Sequence, residues 1–306
     1  MSPAQNRHAL SEGPRITRIA VGVSAQPEGR DAAALGAALA SATGADLLLV
    51  TVISDPVVLP PIGVSWKALR KQAQAGLGQI RDAAMPDART AVRTDLSVAR
   101  ALRRVVASEH RDLLVVGSSN KAREGSVRIG KRVRQLIGDV SCGLAIAPRG
   151  SRRNPIGPFR RIGVGYDAGP ESTSALSLAA SISAAAGAQL HVCGVVDDRA
   201  KSALWSSRRP APALPELDDL VANESRLLQE KAAAAASSLV ANAQLDIRRG
   251  RPADALLDLS GEIDLLVIGS RRWGRVARLL LGSTGESLAY HATCPLLIVP
   301  RPGGRP

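Results

Sequence analysis

The chain has 306 residues, which at roughly 100–200 residues per domain predicts two domains, each large enough to bury its own core. The apolar fraction is 45% and the aromatic fraction only 2%, so Ala, Val, Leu and Ile must build those cores. The net charge of +13 favours anionic partners such as nucleotides. Three cysteines do not make a disulfide framework, and neither a secretory signal nor a run of 18 apolar residues is present. We therefore expect a cytoplasmic protein without a membrane span.

The first half of the chain predicts alternating strands and helices. A strand over residues 16–24 precedes Pro27-Glu28, a pair that suits the first turn of a helix. That Ala-rich helix stops near Gly44, as is typical of helix C-termini. The later predicted elements are a strand at 46–53, a helix at about 65–84, a weak strand near 91–96, a third helix, and strands at 112–116 and 144–147.

The second half repeats the first. The segment from Ile162 aligns without gaps with the segment from Ile19, at an offset of 143 residues. The segment from Ile263 aligns with that from Arg111 at an offset of 152, so nine extra residues lie in the middle of the second copy. The corresponding elements are strands at 161–167, 189–196, 244–249, 264–268 and 296–299, with a long helix at about 217–243. This pattern predicts a duplication.

Alternation of this kind implies a parallel sheet with right-handed crossovers and a ligand site at the carboxyl ends of its strands. We predict an α/β protein of two tandem five-stranded parallel-sheet domains of the Rossmann-like type. The first domain is assigned to residues 16–149 and the second to 160–306. A linker rich in Arg, Pro and Gly joins them at 150–159, and residues 1–15 are expected to be a disordered tail.

A glycine-containing segment follows the fourth strand of the second copy, from Gly269 to Gly282-Ser283-Thr284. Ser283 with Glu286 three residues later is a capping-box signature for a helix beginning near Gly282. Glycines let backbone N–H groups approach phosphates, and a helix N-terminus offers free donors to an anion. The segment therefore predicts an anion site. The alternative is that Ser283 only caps its helix and Gly269 only ends a strand.

This segment resembles the nucleotide loop of the universal stress protein family, whose ATP-binding members show Gly, two residues, Gly, nine residues, then Gly and Ser or Thr. Gly269 and Gly282-Ser283 keep that spacing, whereas Arg272 stands at the second glycine. The resemblance covers both repeats, from about residue 16 to 300. It implies that Asp167 contacts the adenosine part of the ligand, although an Asp there also suits a helix cap. The implied nucleotide-binding residues are Asp167, Val195, Ile268, Gly269, Arg272, Gly282, Ser283 and Thr284.

The first copy departs from the family pattern at each of these points. Ser24 replaces the Asp, Asn120 the second glycine, and Lys131 the Ser or Thr, so we expect a degenerate site there. In the second copy, Arg272 could block the pocket or clamp the phosphates bidentately, and we favour the clamp.

Other chemistries fit the sequence less well. Gly125 to Lys131 has P-loop spacing, but Arg132 stands where the Ser or Thr that binds magnesium belongs. Gly163 and Gly165 fit a relaxed dinucleotide fingerprint but fall within a predicted strand rather than in the turn after it. The His-Cys pairs lack a second pair to complete a metal site. The arginine clusters have no interleaved aromatic residues, which argues against a nucleic-acid surface.

We therefore interpret the chain as a tandem universal stress protein that binds ATP or another adenine nucleotide, with or without Mg²⁺, in its second copy. The resemblance implies pseudo-twofold pairing of the two copies, a response through an unidentified protein partner, and a possible further homodimer. Enzymatic hydrolysis is not expected, because the loop supplies no positioned base, metal carboxylate or Walker lysine. The alternative is a nucleotide-free interaction module in which both loops have decayed.

Overall fold

The computed structural model describes residues 14–54, 65–137, 140–154, 156–197, 214–240, 242–270 and 281–300. The expected tail at 1–15 lies almost entirely outside these residues. Strands and helices alternate along the first copy. They are β1 (Arg18–Val23), α1 (Pro27–Thr43), β2 (Asp46–Ser54), α2 (Trp66–Ala84), β3 (Arg89–Asp95), α3 (Val98–Ser108), β4 (Leu113–Gly117), α4 (Lys131–Ile137) and β5 (Gly143–Ala147).

The second copy repeats this alternation. Its elements are β6 (Arg161–Tyr166), α5 (Pro170–Ala186), β7 (Gln189–Val196), α6 (Leu214–Ser237), β8 (Gln244–Arg249), α7 (Pro252–Ser260), β9 (Leu265–Gly269), α8 (Ser283–His291) and β10 (Leu296–Val299). The α/β fold class expected from the sequence is confirmed. The long helix ends at Ser237, six residues before the expected boundary at 243.

Residues at the helix ends explain several of these boundaries. Gly44 and Gly187 close α1 and α5 with φ of 70° and 64°, in the left-handed region that glycine adopts without a Cβ penalty. Pro27 and Pro170 open the same two helices, where their missing N–H would have no helical partner. Both pairs occupy matching positions in the two copies.

The ten strands of the described residues form one sheet in the order β3-β2-β1-β4-β5-β10-β9-β6-β7-β8. Neighbouring strands within each copy are parallel, and the sheet is continuous because β5 pairs antiparallel with β10. Leu296 lies opposite Ile146 and Ile298 opposite Leu144, which relates the two copies as a twofold axis would. In each copy the chain order reverses between the first and fourth strands, which is where this type of sheet binds ligands.

Helices cover both faces of the sheet with aliphatic residues. One face carries α1, α2, α5 and α6, and the other carries α3, α4, α7 and α8. The apolar cluster on each face contains residues from both copies. The two domains therefore share their cores rather than meeting only at a rim.

The linker is held to the first domain by a buried carboxylate. Asp31 of α1 is 1% exposed and accepts hydrogen bonds from the backbone N–H of Gly150 (2.9 Å) and Arg152 (2.8 Å). The guanidinium of Arg152 binds the same carboxylate at 3.1 Å. At the far end of the linker, Phe159 is 2% exposed in the core. Both ends of the connection are thus tied to packed structure.

No helix in the described parts of the chain combines the length and apolarity needed to cross a membrane.

Candidate functional site

A cavity of about 290 Å³ opens at the carboxyl ends of β6 and β9, where the strand order of the second copy reverses. Six of the eight predicted site residues line it: Asp167, Val195, Ile268, Gly269, Gly282 and Thr284. Ser283 is exposed and is not among the described lining residues. Arg272 lies outside the described residues.

Gly269 is required by packing at the end of β9. A Cβ at this position would come within 2.5 Å of the backbone carbonyl of Glu171 in the first turn of α5. The matching Gly117 meets the same restriction, because its Cβ would lie 2.0 Å from the carbonyl oxygen of Glu28. The close approach of strand and helix therefore explains this glycine in both copies, without reference to a ligand.

Asp167 follows β6 and organises the turn into α5. Its Oδ1 accepts hydrogen bonds from the backbone N–H of Gly169 (2.9 Å) and from the hydroxyl of Ser172 (2.7 Å). Asp167 is not the helix cap that the sequence left open, because the N-cap of α5 is Gly169 and no side chain caps this helix. Asp167 instead forms the turn before α5 and lines the cavity. Its Oδ2 makes no hydrogen bond to a described residue.

The backbone beside Asp167 is strained. Ala168 has a φ of 61°, in the left-handed region that residues with a Cβ seldom adopt. Its counterpart Ala25 in the first copy is not in that region. The strained turn thus occurs in the copy that has Asp167 at the cavity.

The α8 helix begins beside the cavity without a side-chain cap. Its N-cap is Gly282, and the first helical hydrogen bond runs from Glu286 N–H to the Gly282 carbonyl at 2.8 Å. The expected capping box is wrong, because Ser283 is the first helical residue rather than the N-cap and Glu286 is one position too far along. The first turn therefore carries backbone N–H groups without helical acceptors, at Ser283, Thr284 and Gly285.

The remaining wall of the cavity is largely apolar. Cys193, Val195, Leu256 and Ile268 contribute to it. Burial raises the pKa of the Cys193 thiol to about 12, so it is protonated at neutral pH and serves as a small apolar group. Sequence reasoning missed Leu256 and Glu171 as lining residues. Glu171 carried one signal, because Pro170-Glu171 matches the Pro27-Glu28 pair at the start of the first helix, whereas Leu256 carried none.

The other candidate groups do not assemble into a site. Burial also raises the pKa of Cys142 and of Cys294 to about 12. Gly163 and Gly165 lie inside β6, as expected, where a Cβ on Gly163 would come within 2.4 Å of Ile263. Within the described ranges, no three His, Cys, Asp or Glu residues gather as metal ligands would.

The first copy carries a smaller cavity at the matching place. Its volume is about 210 Å³, and Ser24, Val52 and Gly117 stand where Asp167, Val195 and Gly269 line the larger one. Arg132 replaces Thr284 at the start of the following helix. The predicted replacement Lys131 is exposed beside it.

Comparisons with known proteins agree with this architecture. The sequence model of the universal stress protein family matches residues 15–148 and 158–300. A universal stress protein from Archaeoglobus fulgidus has a similar structure, with a TM-score of 0.66 at 19% identity, over 93% of this chain and 98% of that one.

Curated relatives match shorter stretches. The stress response protein NhaX of Bacillus subtilis is 26% identical over 160 residues, covering 45% of this chain and 96% of that protein. A universal stress protein of Mycobacterium tuberculosis is 32% identical over 81 residues, covering 26% of this chain and 30% of that protein. This chain spans 19% to 39% of the length of four such relatives. The family match covers both copies, and the chain belongs to the universal stress protein family, with two copies of its domain in one polypeptide.

Proposed function

We propose that the second domain binds ATP or another adenine nucleotide reversibly and acts as a nucleotide-responsive stress regulator in the cytoplasm, altering contacts with a protein partner. One observation carries the proposal. A single cavity at the strand-order reversal brings together six of the eight residues that the family resemblance implies for nucleotide binding. They come from three strand ends and the start of α8, so local sequence proximity does not account for their meeting.

The chemistry of the cavity suits the parts of such a ligand. The apolar wall of Val195, Leu256 and Ile268 offers a flat base a surface to pack on. The Oδ2 of Asp167, which makes no hydrogen bond to a described residue, can accept a hydrogen bond from a hydroxyl or amino group. The uncapped first turn of α8 directs backbone donors and the positive end of the helix dipole at a phosphate.

Long-range charge supports the same ligand class. The net charge of +13 attracts a polyanion to the chain before any contact forms. The proposal is for binding without turnover. Asp167 and Glu171 supply carboxylates to the described part of the lining, but no lysine there could take the Walker role.

The test is calorimetric titration of the full chain with ATP, ADP, AMP and cyclic AMP, with and without Mg²⁺, together with an assay of phosphate release. We expect at least one adenine nucleotide to bind and no phosphate to be released. Failure of all four to bind would favour the nucleotide-free interaction module instead.

Matched substitutions in the two copies assign the site. Asp167→Ala and Thr284→Val should weaken binding, whereas Ser24→Ala and Lys131→Ala should leave it unchanged. Ser283→Ala should have the smaller effect of the two α8 substitutions, because Thr284 and not Ser283 lines the cavity. Arg272→Ala should reduce the free energy of ATP binding by about 1.5–3 kcal/mol if the guanidinium clamps phosphates. Loss of binding in Lys131→Ala alone would instead place the nucleotide in the first copy.

A further inference from the structure

Two arginines of the first domain hold one tyrosine of the second. The guanidinium groups of Arg128 and Arg134 lie 5.8 Å and 5.6 Å from the ring centroid of Tyr290. Arg134 Nη2 also donates a hydrogen bond to the Tyr290 hydroxyl. Cationic groups at these distances are attracted by the electrons of an aromatic ring. Arg128, Arg134 and Tyr290 are called the arginine clamp below.

Backbone hydrogen bonds reinforce the clamp at the same end of α8. Val127 N–H donates to the Ala292 carbonyl at 2.7 Å, and Ile129 N–H donates to the Ala289 carbonyl at 2.9 Å. The carbonyl groups at a helix C-terminus lack helical donors, so the first domain supplies them. The segment that delivers these donors is itself fixed, since Ser119 N–H binds the Arg128 carbonyl at 2.8 Å.

The helix held in this way begins at the proposed nucleotide site. Gly282, Thr284 and Gly285 line the cavity, and Tyr290 lies near the other end of the same nine-residue helix. At 1.5 Å per residue, α8 is about 13 Å long. Leu288 and Ala289 between these points are fully buried. A helix this short and this well packed moves as one body, so its C-terminal contacts set the position of its N-terminal donors.

The residues of the clamp occur on one side of the duplication only. At the offset of 152 residues, Gly138 corresponds to Tyr290, Leu280 to Arg128 and Glu286 to Arg134. The matching positions thus hold neither the aromatic ring nor the two cations. The sequence therefore supplies these three residues only for the contact between the first domain and the helix that serves the second domain's cavity.

We propose that Arg128 and Arg134 are positioning residues for the nucleotide site of the second domain, acting through Tyr290 on α8. This inference rests on the proposed nucleotide binding. Backbone donors bind a phosphate well only within a narrow range of distance and angle, so a small shift of α8 weakens several contacts at once. The nucleotide-site residues of the first domain have diverged, and this domain instead supplies residues that position the site of the second domain.

The experiment compares clamp variants of the full chain with a matched control. Tyr290→Leu, Arg134→Gln and Arg128→Gln should weaken ATP binding about 2- to 5-fold, the scale of a cation–π contact at an exposed position. Tyr290→Phe keeps the ring and removes only the hydroxyl, so it should weaken ATP binding less than Tyr290→Leu does. Lys131→Gln removes the same charge from an exposed position of α4 and should bind as the wild type does. Clamp variants that also bind as the wild type does would overturn the proposal.

Hydrogen exchange of ligand-free protein separates this proposal from the proposed function. The amides of Glu286 and Ser287, which make the first hydrogen bonds of α8, should exchange faster in Tyr290→Leu and Arg134→Gln than in Lys131→Gln. If the wild type binds no adenine nucleotide, the proposed function fails, while the exchange result still decides whether the clamp positions α8. Unchanged exchange at these amides would show that it does not. Should Tyr290→Leu not fold, Arg134→Gln and Tyr290→Phe provide the same comparison.

Discussion

The cavities of the two copies share a backbone framework and differ in the side chains that face the ligand space. Gly117 and Gly269 occupy matching positions, and each admits the first turn of a helix that a Cβ would exclude. In contrast, the first copy has Ser24 at the position of Asp167 and Arg132 at the position of Thr284. Packing constraints have thus been retained in both copies, while the groups that would touch a ligand have diverged in one.

The divergence involves a pair of residues rather than one. In the second copy, Asp167 is held by the hydroxyl of Ser172, and the residue matching Ser172 in the first copy is Gly29. A Cβ on Gly29 would lie 2.2 Å from the backbone nitrogen of Ser24. Ser24→Asp alone would therefore lack the partner that orients the carboxylate, and that partner cannot be added without moving backbone.

The largest expected effect on stability concerns the glycines at which strand and helix approach closely in both copies. Gly117→Ala and Gly269→Ala should each destabilise the protein by about 3 kcal/mol, because the added Cβ overlaps backbone atoms that cannot rotate away. Urea unfolding gives the measurement. Gly76→Ala is the control, since no atom lies within 4 Å of its Cβ and it should stabilise α2 by about 0.5–1 kcal/mol. Equal tolerance at all three positions would refute the packing explanation.

The second prediction concerns the carboxylate that holds the linker. Asp31→Ala should lower the free energy of unfolding by about 2–3 kcal/mol, because it leaves the N–H groups of Gly150 and Arg152 without their charged acceptor. The matching Ser174 in the second copy is half-buried, and its hydroxyl donates to the Pro170 carbonyl within its own helix, so Ser174→Ala should be nearly neutral. Thermal unfolding of both variants makes the comparison. An effect at Ser174 as large as that at Asp31 would contradict it.

The third prediction uses the thiol in the wall of the second cavity. Because burial raises the pKa of Cys193 from 9.0 to about 12, the folded state keeps a proton that the unfolded state releases. The stabilising contribution is present below pH 9.0 and is lost as the pH rises towards 12. The first copy has Val50 at this position, so Cys193→Val is the natural replacement.

This variant should reduce the decline of stability above pH 9.0 by up to about 1.4 kcal/mol per pH unit. At pH 7 its stability should differ from the wild type by less than about 1.5 kcal/mol, since the two side chains are close in volume. Urea unfolding at a series of pH values provides the data. Parallel curves for the two proteins would show that Cys193 does not titrate differently on unfolding.

The smallest expected effect lies in the strained turn. Ala168→Gly removes a left-handed Ala that costs roughly 1–2 kcal/mol and adds the entropy cost of glycine, for a net gain of about 0.5 kcal/mol. Ala25→Gly relieves no such strain and should not stabilise the protein. Chemical unfolding of both variants distinguishes them. Stabilisation by Ala25→Gly and not by Ala168→Gly would contradict the assignment of strain.

The sequence by itself determined the duplication and the alternation of strands and helices, and it predicted six of the residues that line the second cavity. Near-continuous apolar runs predict the strands, and residues such as Gly44 and Pro27 predict the helix ends. These signals are local, because the conformational preferences of a residue act over a few bonds. Asp167 and Gly282 follow from the same logic, since residues after parallel strands meet at one edge of the sheet.

Only the tertiary structure decided what depends on groups distant in the chain. Asp31 meets Gly150 and Arg134 meets Tyr290 across 119 and 156 residues, and no local pattern encodes such pairs. The close approach of the Glu171 backbone is sufficient to explain Gly269. The antiparallel pairing of β5 with β10 joins the copies into one sheet. These features arise from packing in three dimensions, where the partner of a residue is chosen by shape and charge rather than by position along the chain.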